Sequence, residues 1–320
     1  MNYKIKKISG DASFREFYRV KKNNKTSIIV FAKKEKFKNL IVYCAVNNIL
    51  NKHKILSPKL IKNYYQDNLI EITDLGEKSF FEYIKKKKNK LPLYKKLINI
   101  ILKLQEIKTK KTYYFEKNKI RFTEYSLSQL HKESDLFFDW YLKFTIKNKN
   151  LKRIKKIFKL ELNNIYKKLY FKNKYFIHRD FHASNIMLNN KKLGVIDSQD
   201  AIIGNPLYDV ASLVDDVRIK LPKNLKDNLL RYYILKSKFK IKKESNFKDD
   251  FDILSVQRNL KILGIFVRLY KRDQKPNYLK YLPYTWSIIE DRMKNSIFNK
   301  LKILFREHLP LKKLKTLNKI

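Results

Sequence analysis

Residues 176–200 read FIHRDFHASNIMLNNKKLGVIDSQD, and this stretch decides the fold. Short apolar runs predict strands at residues 175–177, 186–188 and 193–196, with a hairpin turn at residues 189–192. The polar residues between them form a loop. Asp180, Asn185 and Asp197 then stand at strand or loop ends, where we expect their side chains to converge.

These three residue types suit the transfer of a phosphoryl group. The reaction needs a carboxylate near the acceptor hydroxyl and ligands for a metal ion that holds the phosphate oxygens. Asp180 can supply the first function, and Asn185 and Asp197 offer the oxygen ligands that Mg²⁺ prefers. His178 and His182 could be read as metal ligands, but they lack the helical spacing of a zinc motif. Asp180 could merely cap a turn, although the joint pattern disfavours that interpretation.

Composition indicates a folded protein of the cytoplasm. The chain has 320 residues, of which 44% are hydrophobic and 14% aromatic, so it can bury a sizeable core. The single cysteine, Cys44, excludes an intramolecular disulfide. The first ten residues lack the apolar core of a secretory signal. No apolar run reaches the roughly 20 residues of a membrane helix, so we expect no membrane partner.

The charge balance raises a separate possibility. The chain has 74 Lys and Arg against 30 Asp and Glu, a net charge of +44, which is typical of polyanion-binding proteins. The lysines are nevertheless dispersed along the whole sequence, and no basic and aromatic motif of an RNA-binding sheet occurs. We therefore predict no specific nucleic-acid partner and interpret the excess as compositional bias.

The first quarter of the chain predicts a small β-rich lobe. Residues 16–21 and 27–32 are β-rich runs that form a hairpin, and residues 68–72 form a further strand. A helix over residues 37–55 is expected to pack on this sheet. The loop at residues 9–13 could offer backbone amides to phosphates or could be a connecting turn. Residues 73–76 are a candidate hinge, which divides the chain into an N-terminal lobe (1–75) and a C-terminal lobe (76–320).

Helical periodicity dominates the rest of the chain. The predicted fold is therefore α+β, with a small β-rich lobe and a larger helical lobe. The predicted helices are one that starts at Pro92 and those at residues 126–144, 151–171, 207–218, 224–239, 249–271 and 284–305.

The segments HRDFHASN (178–185) and GVIDSQDA (194–201) resemble the aminoglycoside phosphotransferase and choline kinase superfamily, whose fold is bilobal and protein-kinase-like. The resemblance covers nearly the whole chain. It is strongest to the branch of amino-sugar kinases that phosphorylate the C1 hydroxyl of N-acetylmuramate and N-acetylglucosamine in peptidoglycan recycling. The blocks that carry it are DASFREFYRV (11–20), ITDLG (72–76), LFFDWYL (136–142), GNPLYDVASLVDD (204–216) and QRNLKILGIFVRLYKRDQKPNYL (257–279).

The resemblance implies ATP and Mg²⁺ as cofactors and a role for individual residues. Asp180 would orient or deprotonate the acceptor hydroxyl, and Asn185 and Asp197 would hold magnesium. Nucleotide contacts are implied at Gly10 and Ser13 in the phosphate loop, at Lys33 or Lys34, and at Thr73 and Leu75 in the hinge. Asp200 and Arg258 are the expected sugar-binding residues.

The sequence departs from the protein-kinase pattern at several places, and the phosphate loop is poor in glycine. No glutamate occurs in the predicted helix at residues 37–55, where kinases place the partner of a lysine, and Ser198 follows the metal-binding aspartate in place of an aromatic residue.

Three functions are compatible with these observations. The first is an ATP-dependent kinase that acts on a small amino sugar. The second is a phosphotransferase of the same fold that acts on another hydroxylated metabolite, such as an aminoglycoside, choline or homoserine; the basic chain disfavours cationic aminoglycosides. The third is a basic polyanion-binding protein without enzymatic activity.

Overall fold

The computed structural model describes residues 3–8, 15–23, 25–32, 38–108, 112–146, 150–190, 192–238 and 244–309. The chain divides into two compact units. The first comprises Met1–Thr123 and Tyr175–Ile203, and the second comprises Glu124–Lys174 and Gly204–Ile320. The predicted division into an N-terminal lobe (1–75) and a C-terminal lobe (76–320) stays a prediction.

The first unit contains a five-stranded antiparallel sheet. The predicted hairpin is confirmed, with Lys22 paired to Lys25 at its turn. Alternation along the strands places Ile28, Val30, Ile70 and Ile72 in a hydrophobic core on one face of the sheet. The strand order is β1-β2-β3-β5-β4, with bounds β1 (Tyr3–Ile8), β2 (Glu16–Lys22), β3 (Lys25–Phe31), β4 (Leu60–Tyr64) and β5 (Leu69–Thr73).

Helix α1 (Lys38–Lys52) covers this face of the sheet. Its residues Leu40, Tyr43 and Cys44 join the hydrophobic core of the strands, as the helical spacing predicted. The same helix therefore has a fixed position relative to β3 and β5.

The remainder of the first unit contains the segment 176–200, which holds the predicted catalytic loop. The hairpin at residues 189–192 is confirmed, since Asn189 pairs with Lys192. The strand β8 pairs with β11, and α3 contacts β8. The bounds are α2 (Phe80–Lys85), α3 (Leu91–Gln105), β6 (Thr112–Phe115), β7 (Asn118–Arg121), β8 (Tyr175–Ile177), β9 (Ile186–Asn189), β10 (Lys192–Val195) and β11 (Ile202–Gly204).

The second unit is helical in the residues described, and the α+β class is confirmed. The long α9 is buried on all sides from Phe251 to Leu260, because α4, α7 and α10 pack around it. Its helices are α4 (Leu127–Leu136), a π-helical turn (Phe137–Leu142) that continues into α5 (Lys143–Thr145), α6 (Leu151–Tyr166), α7 (Leu207–Val214), α8 (Lys223–Lys236), α9 (Glu244–Asp273), α10 (Leu282–Arg292) and α11 (Asn299–His308).

One helix prediction is wrong. The periodicity at residues 284–305 predicted a single helix, whereas the structure has two, α10 and α11. Asn295 breaks the helix, since its side chain accepts a hydrogen bond from the Ile297 amide and donates to Asp249 and Asp252. These acids are more than 40 residues away in the sequence, so local periodicity carries no sign of the break.

The described part of the chain contains no helix with the length and apolar character that crossing a membrane requires.

A glycine allows two backbones of the second unit to approach closely. A Cβ atom at Gly264 of α9 would overlap the backbone carbonyl group of Leu136, where α4 passes into its π-helical turn. Backbone atoms cannot yield as a flexible side chain would.

We therefore expect Gly264→Ala to lower the free energy of unfolding by about 1–3 kcal/mol, although alanine is the better helix former. Urea denaturation measures this change. Ser245→Ala, at an exposed position of the same helix, is the control and should leave stability unchanged within about 0.5 kcal/mol. A Gly264→Ala variant as stable as the wild type would show that the two backbones separate readily.

Candidate active site

Hydrogen bonds join the loop between β8 and β9 to the end of β10. His178 is fully buried, and its Nε2 atom donates a hydrogen bond to the Ile196 carbonyl at 3.0 Å. The Ile196 amide in turn donates to the Asn185 carbonyl at 3.0 Å. Both ends of the loop are therefore fixed against the segment that carries Asp197.

Two residues of this segment have left-handed backbone conformations. Arg179 has a φ angle of +73° and Asp197 one of +62°. Such angles are unfavourable for residues other than glycine and are concentrated at functional sites. The surrounding hydrogen bonds hold the backbone in these conformations.

Asp180, Asn185 and Asp197 come together as predicted from the sequence. The Asn185 side-chain amide donates to the Asp180 carbonyl at 2.9 Å, and its Nδ2 atom lies 3.5 Å from Oδ2 of Asp197. The turn Ala183–Asn185 bends the loop so that Asn185 faces back toward Asp180. The three residues therefore form one cluster within the first unit.

The pKa of Asp197 is raised above its usual range. The first cause is desolvation of the carboxylate by the surrounding protein, and the nearby negative charge of Asp180 adds to it, while a hydrogen bond from Gln199 acts in the opposite direction. Asp197 retains solvent-exposed surface, so its desolvation is partial.

The cluster suits a divalent cation that also binds phosphate. The Asn185 amide nitrogen is held by Asp180, which leaves its Oδ1 oxygen available as a ligand. No group of three or more His, Cys, Asp or Glu side chains with the arrangement of a metal site occurs among the described residues. Magnesium fits this limited set, since it usually binds one or two protein oxygens and takes its remaining ligands from phosphates and water.

A hydrogen bond ties helix α1 to the residue after Asp197. The buried Ser198 hydroxyl donates to Oδ1 of Asn47 at 2.7 Å. The Asn47 carbonyl accepts hydrogen bonds from Ser57 and Asn51, so its own position is fixed. Ser198, which replaces an aromatic residue of the kinase pattern, therefore contacts the helix that lacks the kinase glutamate.

The hinge at residues 73–76 is held by an arginine of β2. The Arg19 guanidinium donates to both carboxylate oxygens of Asp74, at 2.6 and 3.2 Å, and to the Gly76 carbonyl at 2.9 Å. The Asp74 carboxylate also accepts a hydrogen bond from the Gly76 amide at 2.8 Å. This two-pronged contact fixes the path of the backbone on either side of Leu75.

The two predicted hinge contacts differ in what they can offer a nucleotide. The Thr73 amide donates a hydrogen bond to the Lys59 carbonyl, and the Thr73 hydroxyl accepts a hydrogen bond from the Lys59 amide. The Leu75 amide has no acceptor in the part of the chain that the structure describes, and its side chain is buried beside β10. A Cβ atom at Gly194 would lie 2.7 Å from Cδ1 of Leu75, so the glycine makes room for it.

The other predicted site residues lie elsewhere. Asp200 is exposed, and its carboxylate lies 3.8 Å from the Arg179 guanidinium. Arg258 belongs to the second unit, where it is buried in α9. Gly10, Ser13 and Lys33, with the alternative Lys34, fall outside the described residues, so their predicted phosphate contacts stay predictions.

Sequence reasoning missed Arg19 and Asn47. Arg19 is one of several basic residues in β2, and nothing in the local pattern separates it from its neighbours. The absence of a glutamate marks helix α1 as a departure from the kinase pattern, but it does not single out Asn47.

Comparison with known proteins gives a consistent result. Residues 4–241 match the model of a family described as "Phosphotransferase enzyme family". The chain is 26% identical over 290 residues to the N-acetylmuramate/N-acetylglucosamine kinase of Pseudomonas aeruginosa, which covers 88% of this chain and 81% of that protein. The kinase of the same name from Caulobacter vibrioides is 24% identical over 272 residues, with 82% and 73% covered.

Solved structures confirm the kinase-like fold. Choline kinase LicA from Streptococcus pneumoniae superposes with a TM-score of 0.63 at 14% identity, covering 90% of this chain and 93% of that one. The ADP-bound aminoglycoside phosphotransferase APH(2'')-Ib gives a TM-score of 0.61 at 14% identity, covering 90% and 92%.

The Arg19 contact generates a first prediction about the site. Arg19→Ala should lower the free energy of unfolding by about 1–3 kcal/mol, because it leaves the nearly buried Asp74 without its donors. The nucleotide contact predicted at this hinge then predicts a rise in the KM for the nucleotide that is larger than the fall in kcat. Steady-state kinetics and urea denaturation measure the two effects. Arg121→Ala, an exposed arginine of the same unit, is the control. Equal ATP KM values for Arg19→Ala and wild type would contradict a positioning role.

The Asp180 and Asp197 pair predicts a pH effect. A protonated Asp197 cannot bind a cation, so its raised pKa makes metal binding fail at a higher pH than for an ordinary aspartate. Asp180→Asn removes a like charge and lowers that pKa. The pH at which Mg²⁺ and ADP lose half of their thermal stabilisation should therefore be lower in the variant. Asp200→Asn, whose charge acts more weakly on Asp197, should give a smaller shift. A midpoint unchanged by Asp180→Asn would rule out this coupling.

Proposed function

The chain belongs to the phosphotransferase enzyme family, and we propose that it transfers phosphate from ATP to the anomeric C1 hydroxyl of N-acetylmuramate and N-acetylglucosamine. The observation that carries this proposal is the meeting of Asp180, Asn185 and Asp197 in one cluster. The sugar is taken from the two relatives named above, which the chain resembles over most of its length. The sugar 1-phosphates formed would feed peptidoglycan precursor synthesis, and the reaction would take place in the cytoplasm.

Asp180 is assigned to the acceptor. Its carboxylate would accept a hydrogen bond from the sugar C1 hydroxyl, orient the oxygen toward the γ-phosphate and take its proton as the new bond forms. The hydrogen bonds that anchor the loop keep Asp180 in one place, so little reorganisation accompanies the reaction.

Asn185 and Asp197 are assigned to magnesium. Bound Mg²⁺ would neutralise charge on the ATP phosphates and align the γ-phosphate with the acceptor. The role of this chain is to fix the two ligand oxygens: Asp180 holds the Asn185 amide, and Asn47 holds the residue that follows Asp197.

The hinge and the N-terminal loop are assigned to ATP. The Leu75 amide would donate to the adenine ring, while the Thr73 amide is already used by the Lys59 carbonyl. Gly10 and Ser13 would contact the phosphates through the loop at residues 9–15, and Lys33 or Lys34 would contribute a positive charge. Asp200 and Arg258 are assigned to the sugar.

A substrate panel tests the acceptor. We expect ATP consumption with N-acetylmuramate and N-acetylglucosamine and none above background with choline or kanamycin. Turnover of choline or kanamycin alone would favour another small hydroxylated metabolite as acceptor. Failure with both amino sugars would overturn the proposed substrate, and failure with all four compounds would leave only the family assignment.

The catalytic assignment has its own test. Asp180→Asn should lower kcat by about 10²–10⁴-fold because the variant cannot accept the hydroxyl proton. Its melting temperature should stay within a few degrees of the wild type. Asp67→Asn, an exposed acid of the same unit, is the control and should retain full activity. An active Asp180→Asn enzyme would show that Asp180 is not the base.

A further inference from the structure

Gln199 holds one oxygen of the Asp197 carboxylate. Its Nε2 atom donates a hydrogen bond to Oδ1 of Asp197 at 2.8 Å, whereas Oδ2 lies 3.5 Å from the side-chain nitrogen of Asn185. The carboxylate also fixes the orientation of the Gln199 amide, because the reverse orientation would place two acceptor oxygens against each other. The two oxygens of Asp197 therefore differ: Oδ1 is held at close range by a donor, and Oδ2 is not.

The backbone on both sides of Gln199 is fixed. The preceding residue, Ser198, is fully buried and donates its hydroxyl to Oδ1 of Asn47 at 2.7 Å. The Ala201 amide donates to the Ser198 carbonyl at 3.1 Å, which closes a tight turn that contains Gln199. Asp197 and Gln199 are therefore two positions apart on an anchored segment of the first unit, and their contact does not depend on mobile chains.

The oxygen of the Gln199 amide is an unused acceptor. Oε1 is shielded from solvent and has no hydrogen-bond partner among the residues that the structure describes. Buried polar atoms are nearly always satisfied in native proteins. Because the same amide contacts Asp197, a donor that arrives with the metal ion would satisfy this oxygen. Water bound to a divalent cation is such a donor, since the cation makes its protons more acidic.

Magnesium and calcium make different demands on a carboxylate. Mg²⁺ requires near-octahedral geometry, keeps several of its water molecules and takes few oxygens from the protein. Ca²⁺ accepts roughly six to eight oxygens in a flexible arrangement and often binds both oxygens of one carboxylate. A carboxylate with one oxygen already held, next to an acceptor for a metal-bound water, meets the demands of Mg²⁺ better than those of Ca²⁺.

We propose that Gln199 is a positioning residue that gives the site a preference for Mg²⁺ over Ca²⁺. Its Nε2–H group engages Oδ1 of Asp197, so that Oδ2 is the single ligand oxygen of this carboxylate. Its Oε1 atom accepts a hydrogen bond from a water molecule on the ion. This inference rests on the assignment of Asn185 and Asp197 to the metal in the proposed function, and it does not depend on the identity of the sugar.

The test compares the metal preference of wild type and Gln199→Met. Mg²⁺ or Ca²⁺ is titrated at a fixed ADP concentration, and the metal concentration that gives half of the thermal stabilisation is recorded. Methionine has a similar length but cannot donate to Oδ1 of Asp197. The Mg²⁺ midpoint should rise about 10- to 100-fold, the usual effect of removing the hydrogen-bond partner of a metal ligand. The Ca²⁺ midpoint should rise by less than about threefold, because release of Oδ1 lets Ca²⁺ bind both oxygens.

Gln199→Glu separates hydrogen bonding from charge. It keeps an acceptor oxygen but replaces the Nε2–H donor with a second acceptor, so it cannot hold Oδ1 of Asp197. Its negative charge should lower the Ca²⁺ midpoint, since a more acidic set of ligands binds Ca²⁺ more tightly. The ratio of the Ca²⁺ midpoint to the Mg²⁺ midpoint should therefore fall in both variants. Gln66→Met makes the same chemical change as Gln199→Met at an exposed position of the first unit and should keep both midpoints.

A structural role for Gln199 gives a different result. Without ligand, Gln199→Met should melt within a few degrees of the wild type, and Gln199→Glu decides the test if the methionine variant does not fold. A wild-type midpoint ratio in the variants would overturn the proposal. Equal weakening of Mg²⁺ and Ca²⁺ binding in Gln199→Met would also overturn it, because Gln199 would then support the segment without selecting the ion.

The two proposals fail in different ways. If Mg²⁺ with ADP does not stabilise the wild type, or stabilises Asp197→Asn equally, the metal ligands are wrongly assigned and the role of Gln199 is wrong with them. If Asp197→Asn removes the stabilisation and Gln199→Met keeps the wild-type ratio, the metal assignment stands and only the role of Gln199 is wrong. Neither result changes the acceptor, which the substrate panel tests separately.

Discussion

The hydrogen bond from the Asn185 side chain to the Asp180 carbonyl is the contact on which the site depends. It closes the loop that follows β8 and brings the Asn185 amide within 3.5 Å of the Asp197 carboxylate. Without it, no direct side-chain contact would hold Asn185 and Asp197 beside Asp180. The left-handed backbone at Arg179 and Asp197 is acceptable because contacts at both ends of the loop compensate for it.

A second contact joins helix α1 to the site at two positions where this chain departs from the protein-kinase pattern. Kinases join the helix of the small lobe to the phosphate site with a lysine and glutamate pair. Here Asn47 of α1 accepts a hydrogen bond from Ser198, the neighbour of Asp197. A neutral pair costs less to bury than an ionic pair, and both side chains are buried. The helix is thus coupled to the strand end that carries Asp197 by a contact that needs no charge.

The sequence predicted the elements whose signals are local and missed the contacts that join distant residues. Alternating apolar residues and a four-residue turn were enough for the β2–β3 and β9–β10 hairpins, and helical spacing was enough for α1 and α6. The strands β1, β4, β6 and β7 were not predicted, because they are short or rich in lysine. The Ser198–Asn47 bond spans 151 positions and the Arg19–Asp74 bond 55, so neither can be read from a local pattern. Motif spacing brought Asp180, Asn185 and Asp197 together, because a single loop and hairpin connect them.

Several acidic residues are buried, which affects how the net charge of +44 is distributed between the interior and the surface. Several of the 30 acidic residues are used inside the protein, where Glu133, Asp215 and Asp250 each accept hydrogen bonds from more than one donor. Acids committed to the interior cannot offset the lysines at the surface. A cationic surface raises the local concentration of anions and repels cations. Nucleotides are anions, whereas aminoglycosides and choline are cations, so the charge that first suggested a polyanion-binding protein also fits the proposed nucleotide-dependent kinase with a neutral or anionic acceptor.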